Sequence, residues 1–337
     1  GLGVALAEVD VGRELRHGAV DDVRAAEGDG HVAVEDGDEV VLLVRAVERA
    51  RLEHGVAGLA VVHVGEHVGA RRRGYTPAGF RLFAERIGVS RSDSLIDYSV
   101  LEDCMREDLN IAAERRIAVL DPVKLVITNY PEGQVERCLA PNHPLKPELG
   151  KREMPFGREL WIEREDFMET PVKGYHRLYP GNTVRLRYGY VVKCTGCEKD
   201  ADGNVTAVLC EYFPDSKSGT PGADTYKVKG NLHWVCAAHA YAAEVRLYDR
   251  LFAHPYPGTR REGDPEGLER SFLDDINPDS LRVIRAQLEP ALRAARPEAR
   301  FQFERHGYFV ADRIDTQEGA PVFNRTVTLR DAWKHGA

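Results

Sequence analysis

Val184-Arg185-Leu186-Arg187-Tyr188-Gly189-Tyr190-Val191-Val192 follows the turn residues Pro180-Gly181-Asn182 and mixes β-branched and aromatic residues with polar ones. That pattern predicts a β-strand. Side chains alternate faces along a strand, which places Arg185 and Arg187 on one side as two neighbouring guanidinium forks. Tyr175-His176-Arg177, just upstream, adds a ring and a further cation. Planar donors beside stacking faces suit splayed-out nucleotide bases. The same residues also suit a solvated strand whose arginines meet water and stray carboxylates.

Outward from this stretch most of the chain reads as strands. Val184–Cys194 and Val205–Phe213 flank Asp200-Ala201-Asp202-Gly203-Asn204, a predicted hairpin. Val123–Tyr130 and Val135–Ala140 flank Pro131-Glu132-Gly133, a second. Val228–Val235, Glu244–Phe252, Phe301–Ala311 and Pro321–Leu329 complete the set, with a Gly/Pro-rich loop from His254 to Gly267. Many short strands joined by such turns predict barrels or a sandwich. Before them lie two helices. Thr76 caps the first, with Pro77 as its first residue, Phe80, Phe83, Ala84 and Ile87 on one face, and Gly88 as its stop. Ser99-x-x-Glu102 reads as the capping box of the second, which ends near Asn110.

The 337 residues are 43% hydrophobic and 30% charged, an ordinary soluble composition with room for two or three domains. No apolar run approaches the ~20 residues of a membrane helix. The first residues carry no secretory signal pattern, and six scattered cysteines fit a reducing, cytoplasmic setting. Residues 1–70 carry fourteen acidic and six basic side chains, which accounts for the whole net charge of −8. The remainder is neutral, which argues against a DNA-coating protein and allows a local basic surface for one structured RNA. Residues 1–74 use only Gly, Ala, Val, Asp, Glu, Leu, Arg and His. Five of these have codons beginning with G and the others have codons beginning with C, as a GC-rich gene gives when read on the wrong strand. The expectation is that 1–74 is a compositionally biased, non-native segment of unknown structure, though one that could still be ordered, with Val40–Ala50 as a strand or helix.

Catalytic signals are scarce. There is no glycine-rich phosphate loop between a strand and a helix and no Gly-x-Ser-x-Gly elbow. Cys194-Thr195-Gly196-Cys197 is a lone C-x-x-C; with Cys210 across the hairpin it makes a three-thiolate site conceivable, against the simpler reading of buried thiols. His143, His233 and His239 have no triad or ligand spacing, so no catalytic, cofactor or metal residue is assigned. His233, alternating with apolar neighbours, is expected to lie partly buried against a barrel wall. The polar residues suited to RNA are distributed. Asn110 and Arg115 stand where helix gives way to strand, Arg177, Arg185 and Arg187 on the central hairpin, and Gln302 and Arg305 on a late strand. Asn and Gln both donate and accept, as base edges require, and Arg supplies forked donors.

Longer phrases are more specific. Arg-Arg-Arg-Gly-Tyr-Thr-Pro at 71–77, Arg-Glu-Asp-Leu-Asn at 106–110, Asp-Pro-Val-Lys-Leu-Val-Ile at 121–127, Pro-Asn-His-Pro at 141–144, Arg-Leu-Tyr-Asp-Arg-Leu-Phe at 246–252 and Pro-Val-Phe-Asn-Arg-Thr-Val at 321–327 together resemble the glutaminyl-tRNA synthetase family, over roughly four fifths of the chain. The resemblance implies a mainly β fold: a helical connecting subdomain at 75–112, then two anticodon-binding β-barrels, proximal and distal, at 113–337. It puts Asn110 near the anticodon of tRNA-Gln, Arg115, Gln302 and Arg305 at the middle base, Arg177 at the third, and Arg185 and Arg187 around the first. His176 belongs to the RNA-binding set but stands where bacterial relatives usually carry Lys, and Leu145 where Asn is common. The family's ATP- and Mg-dependent glutaminylation needs a domain with a His-Ile-Gly-His-type signature and a Met-Ser-Lys loop, and neither motif occurs here. The resemblance therefore implies a monomeric, cytoplasmic tRNA-binding portion of a glutamine–tRNA ligase, inactive alone, with no DNA or membrane partner. A glutamyl-tRNA synthetase of the eukaryotic or archaeal kind, and a non-catalytic β-barrel interaction protein, are the alternatives.

Overall fold

The computed structural model describes residues 68–88, 96–254, 256–265 and 267–331. The expectations for 1–67, including Val40–Ala50, lie outside the described residues. Helix α1 (Val68–Arg72) begins just before the first family phrase. In α2 (Pro77–Ile87), Thr76 accepts from the Gly79 amide at 3.0 Å and Gly88 closes onto the Ala84 carbonyl, as the sequence predicts. In α3 (Tyr98–Ala112) the cap is Asp97, whose carboxylate accepts from the Ser99 amide at 2.8 Å. Ser99 therefore sits inside the first turn, and the predicted capping box does not form. Glu102 is buried instead and meets Arg106 and Arg250.

The strands follow in order: β1 (Glu114–Arg116), β2 (Ala118–Val119), β3 (Pro122–Ile127), β4 (Glu136–Pro141), β5 (Lys151–Phe156), β6 (Glu159–Glu163), β7 (Thr183–Leu186), β8 (Val191–Lys199), β9 (Val205–Tyr212), β10 (Gly230–Leu232), β11 (Val235–Cys236), β12 (Tyr241–Tyr248), β13 (Leu281–Leu288), β14 (Arg300–Phe303), β15 (Gly307–Ala311) and β16 (Phe323–Thr328). They form two seven-stranded sheets and one ribbon. The proximal sheet runs β10-β7-β8-β9-β3-β6-β11, the distal sheet β1-β14-β15-β16-β12-β13-β2, and among the described residues β4 pairs only with β5. In each large sheet the two outermost strands are consecutive in the chain. Ile117 alone separates β1 from β2, and His233-Trp234 separate β10 from β11. One bent stretch thus joins both edges, and each sheet closes into a barrel. The proximal barrel is inserted within the distal one, which takes its strands from both sides of it.

Each barrel has its own core. Leu125, Ile162, Val192 and Trp234 fill the proximal one. In the distal one Phe303 stacks on Phe309 at 4.3 Å, with Phe323 set edge-on. The helices bury Phe80, Leu101, Met105 and Leu109 against Tyr308 and Val327 of the distal barrel. Three arginines anchor α1 and its end: Arg71 pairs with Glu298, Arg72 reaches Asp312 at 2.9 Å and Asp315 at 2.8 Å, and Arg73 lies over the rings of Tyr75 and Tyr248. Gly74, at φ +94°, is needed there, because a Cβ would collide with the Thr326 hydroxyl. Among the described residues no helix is long and apolar enough to cross a membrane.

Several strand predictions are corrected. The stretch Val184–Val192 is not one strand but a tight hairpin. Tyr188 takes φ +63°, the Gly189 amide bonds back to Leu186, and β7 turns into β8. The Pro131-Glu132-Gly133 segment does not join a hairpin. β3 has β6 and β9 as its neighbours, so β4 is diverted to β5. Phe301–Ala311 is likewise two strands around a turn at Glu304-Arg305-His306, with Arg305 at φ +73°. β1, β2, β5, β6 and β13 were not foreseen. The Asp200–Asn204 hairpin forms as predicted, between β8 and β9.

Two carboxylates do much of the fixing. Glu289, 2% exposed, accepts from the Ile117 amide at the distal closure and from Arg152 Nε at 2.6 Å and Nη2 at 3.0 Å. Glu289→Ala leaves Arg152 buried without its bidentate carboxylate, with only the Pro141 carbonyl at 2.9 Å and Glu304 at 3.9 Å, and should cost about 3 kcal/mol of unfolding free energy in denaturant titrations. Glu136 ties the ribbon to the proximal barrel, accepting from Tyr130, Tyr190 and Lys217 at 2.9, 2.6 and 2.7 Å. Burial alone would raise its pKa, but the bonds from Lys217, Tyr190 and Tyr130 together bring it down to about 2, from 4.5. A depressed carboxyl stabilises the fold above its unfolded pKa and loses that contribution as the pH falls towards the folded one. Between about pH 4.5 and 2 the wild type should therefore lose roughly 1–3 kcal/mol that Glu136→Gln lacks at every pH, read as a flatter acid limb in thermal melts.

Candidate nucleic-acid interface

The C-terminal end of α3 and the closing strand of the distal barrel build the first part of the site. β1 runs parallel to β14 with Arg115 opposite Gln302, and β15 runs antiparallel to β14 with Tyr308 opposite Gln302. Cross-strand partners share a face, so Arg115, Gln302 and Tyr308 form one row over three strands. Asn110, at the last turn of α3, completes it. Gln302 Nε2 donates to the Tyr308 hydroxyl at 3.1 Å, and that hydroxyl donates to Asn110 Oδ1 at 3.3 Å. Arg115 donates to the same Oδ1 at 2.7 Å and to the carbonyls of Asn110 and Ala113. All these acceptors are neutral, and among the described residues Arg115 has no ion-pair partner. Its burial pulls the guanidinium pKa down from the usual range. Tyr308 was missed in the sequence, where it is one more aromatic of the stretch Phe301–Ala311.

The second part lies at the junction of the barrels. Arg305, in the β14–β15 turn, forks onto Asp166 with Nη1–Oδ2 at 2.6 Å and Nη2–Oδ1 at 2.7 Å. Arg177 reaches Asp166 Oδ1 at 3.1 Å and Glu165 at 2.8 Å. Arg187 pairs with Glu304 at 2.5 Å and lies over the Tyr188 ring. Arg185 goes elsewhere, to the carbonyls of Ser216 and Ala223, both at 2.8 Å. The expectation of Arg185 and Arg187 side by side on one strand is therefore corrected: the hairpin turn sends one to the 216–223 loop and the other to the distal barrel. Arg305, expected on a strand, sits in a turn. His176 is exposed and lines a cleft of about 290 Å³ with Asn182, Thr183, Lys227 and Lys229. Gly230 sets its floor, since a Cβ there would strike the His176 carbonyl. The lysines and the acids at this junction carry no spacing signal in the sequence.

His143, His233, Cys194 and Cys210 are structural groups. His143 sits in a turn, buried, and holds the Asn110 carbonyl at 3.2 Å, while the neighbouring Leu145 is exposed. His233, expected to be partly buried, is wholly so. Its Nε2 and that of His306 both point at Glu163 Oε1, at 3.3 and 2.8 Å, and these three are the only group among the described residues whose ligating atoms converge. They do not fit a metal. Arg305 Nη1, which can only donate, lies 3.2 Å from His233 Nδ1, so the imidazole proton is on Nε2 facing Glu163. The Leu120 and Asp121 amides occupy the rest of that carboxylate. Burial raises the Glu163 pKa, but the two histidine bonds outweigh it and hold the group ionised. Cys194 faces Cys210 in the sheet, both fully buried, and Cys197 does not converge with them as a ligand set.

Comparison with known proteins gives the chain's relatives. Two family models, each described as tRNA synthetases class I (E and Q), anti-codon binding domain, match residues 113–213 and 231–312. The chain is 65% identical over 266 residues to the glutamine–tRNA ligases of Ralstonia nicotianae and Cupriavidus necator, and 58% identical over 266 residues to that of Nitrosomonas europaea. These alignments take in 79% of this chain and 44%, 44% and 46% of the respective relatives, so the chain spans less than half of their length. The chain belongs to the class I tRNA synthetases for glutamate and glutamine, of which it carries the two anticodon-binding domains.

Proposed function

We propose that this chain binds the anticodon loop of tRNA-Gln and reads its bases, as the recognition portion of a glutamine–tRNA ligase. The observation that carries the reading is the row of Arg115, Gln302 and Tyr308 with Asn110: donors and acceptors aligned across one barrel edge, around a guanidinium that has no ion-pair partner among the described residues. A base needs that mixture on its edge, and a guanidinium bonded only to neutral oxygens favours an anionic partner. In this reading Arg115, Gln302 and Arg305 serve the middle base with Asn110 close by, Arg177 the third, and Arg185 and Arg187 the first, while His176 belongs to the same RNA-binding set. Bases unstack into these positions while phosphate contacts place the loop. The glutaminylation itself, with ATP and Mg²⁺, is proposed to need a fold that these residues do not supply, so the chain binds without charging.

A second reading has one observation in its favour. Arg177, Arg187 and Arg305 are all paired with acids, as structural arginines in a protein-binding barrel would be. Titration of the full chain with tRNA-Gln and with anticodon-changed variants, at two salt concentrations, separates the two. Base readout predicts a preference for the native anticodon that persists at the higher salt; equal, salt-sensitive binding to all of them leaves only phosphate attraction and favours the second reading. Gln302→Ala, which strips no buried charge of its partner, should cost about 1–3 kcal/mol against tRNA-Gln and relax discrimination at the middle base alone.

A further inference from the structure

Asp166 is fully buried and yet binds two guanidinium groups from opposite sides of the barrel junction. Arg305 comes from the distal barrel and spends the inner hydrogens of both Nη atoms on it. Arg177 comes from the proximal barrel and meets the same Oδ1 through Nη1. Asp166 cannot drift, because its carbonyl accepts from the Leu178 amide at 2.9 Å and the next residue, Phe167, bridges to Leu178, next to Arg177. Glu165 also touches both arginines, at 2.8 and 3.4 Å, but it is exposed and can yield to an incoming acceptor, whereas Asp166 has no route to solvent. With Asp166 in place Arg305, whose Nη1 also gives to His233 Nδ1, still has Nε and the Nη2 hydrogen that Glu165 would yield, while the contacts of Arg177 among the described residues all run through Nη1 and leave the rest of its fork to offer. A fixed anion that spends some donors and aims the rest is how a fork is held ready for a planar ligand.

We propose that Asp166 is a positioning residue shared by two base readers, so that recognition of the middle and third anticodon bases depends on one carboxylate that touches neither. This rests on the reading above, in which Arg305 and Arg177 face those bases. Its distinctive consequence is linkage. A residue that served one base would alter discrimination at one position; the shared anion alters it at both.

The test measures, for the full chain, the ratio of affinities for tRNA-Gln and for variants changed at the middle or the third anticodon base. Asp166→Asn should reduce both ratios by about fivefold or more, whereas Gln302→Ala reduces only the first. A purely structural loss lowers every affinity in proportion and leaves the ratios unchanged, so unchanged ratios overturn the proposal. If Asp166→Asn does not fold, cross-effects decide. Arg305→Ala leaves Asp166 to Arg177 alone and should change the third-base ratio as well as the middle one, and strictly separate effects overturn the proposal. If neither Arg305→Ala nor Arg177→Ala moves any ratio, it is the underlying anticodon reading that has failed.

Discussion

A β-sheet must dispose of the unpaired donors and acceptors along its edges, and both sheets here do so by bending one strand from the first edge round to the last. Most of the junction chemistry follows from those bends. A bend interrupts the ladder and frees backbone amides, and buried amides need partners. Glu289 takes the amide of Ile117 at one bend, and Glu163 takes Leu120 and Asp121 where the chain leaves the distal barrel. Buried carboxylates in turn need cations or donors. Arg152 serves Glu289, and His233 and His306 serve Glu163. The cluster of charge between the barrels is thus a product of closure as much as of function.

Against that background the arginines divide into two kinds. Arg177, Arg187 and Arg305 are compensated by Glu165, Asp166 and Glu304, which hold them at defined places. Arg115 and Arg185 spend their donors on neutral oxygens and keep their charge. A chain that is electrically neutral over residues 71–337 has little long-range pull on a polyanion. The proposed choice among RNAs of equal charge would then rest on where a few cations stand.

The fold class was legible because turn residues and β-rich runs mark strands in any context; the barrel count came only with the family phrases. The strand partners were not legible. β3 looks like half of a hairpin because Pro131-Glu132-Gly133 follows it, yet its neighbours β6 and β9 are set by sheet closure, a non-local matter. Val184–Val192 reads as one strand because Tyr188 in a left-handed conformation leaves no compositional trace. The same limit applies to the site. Asn110, Arg115, Gln302 and Arg305 could be named from residue type and family phrases, and the first three do converge. Tyr308 hides as a core aromatic, and Asp166 hides among the acids of Glu163-Arg164-Glu165-Asp166, since only burial distinguishes it from its exposed neighbour Glu165.

The insertion of one barrel within the other also sets an order of assembly. The proximal strands, β3 to β11, all lie within residues 122–236 and can pair as soon as that stretch has left the ribosome. The distal barrel cannot. β1 at residues 114–116 pairs with β14 at 300–303, and β2 at 118–119 with β13 at 281–288, so the first two distal strands are made long before any partner exists. Contacts this distant in sequence close slowly. The later barrel to form is the one that carries the Arg115–Gln302–Tyr308 row, so the surface proposed to select the RNA comes into being only after residues 300–308 have been made.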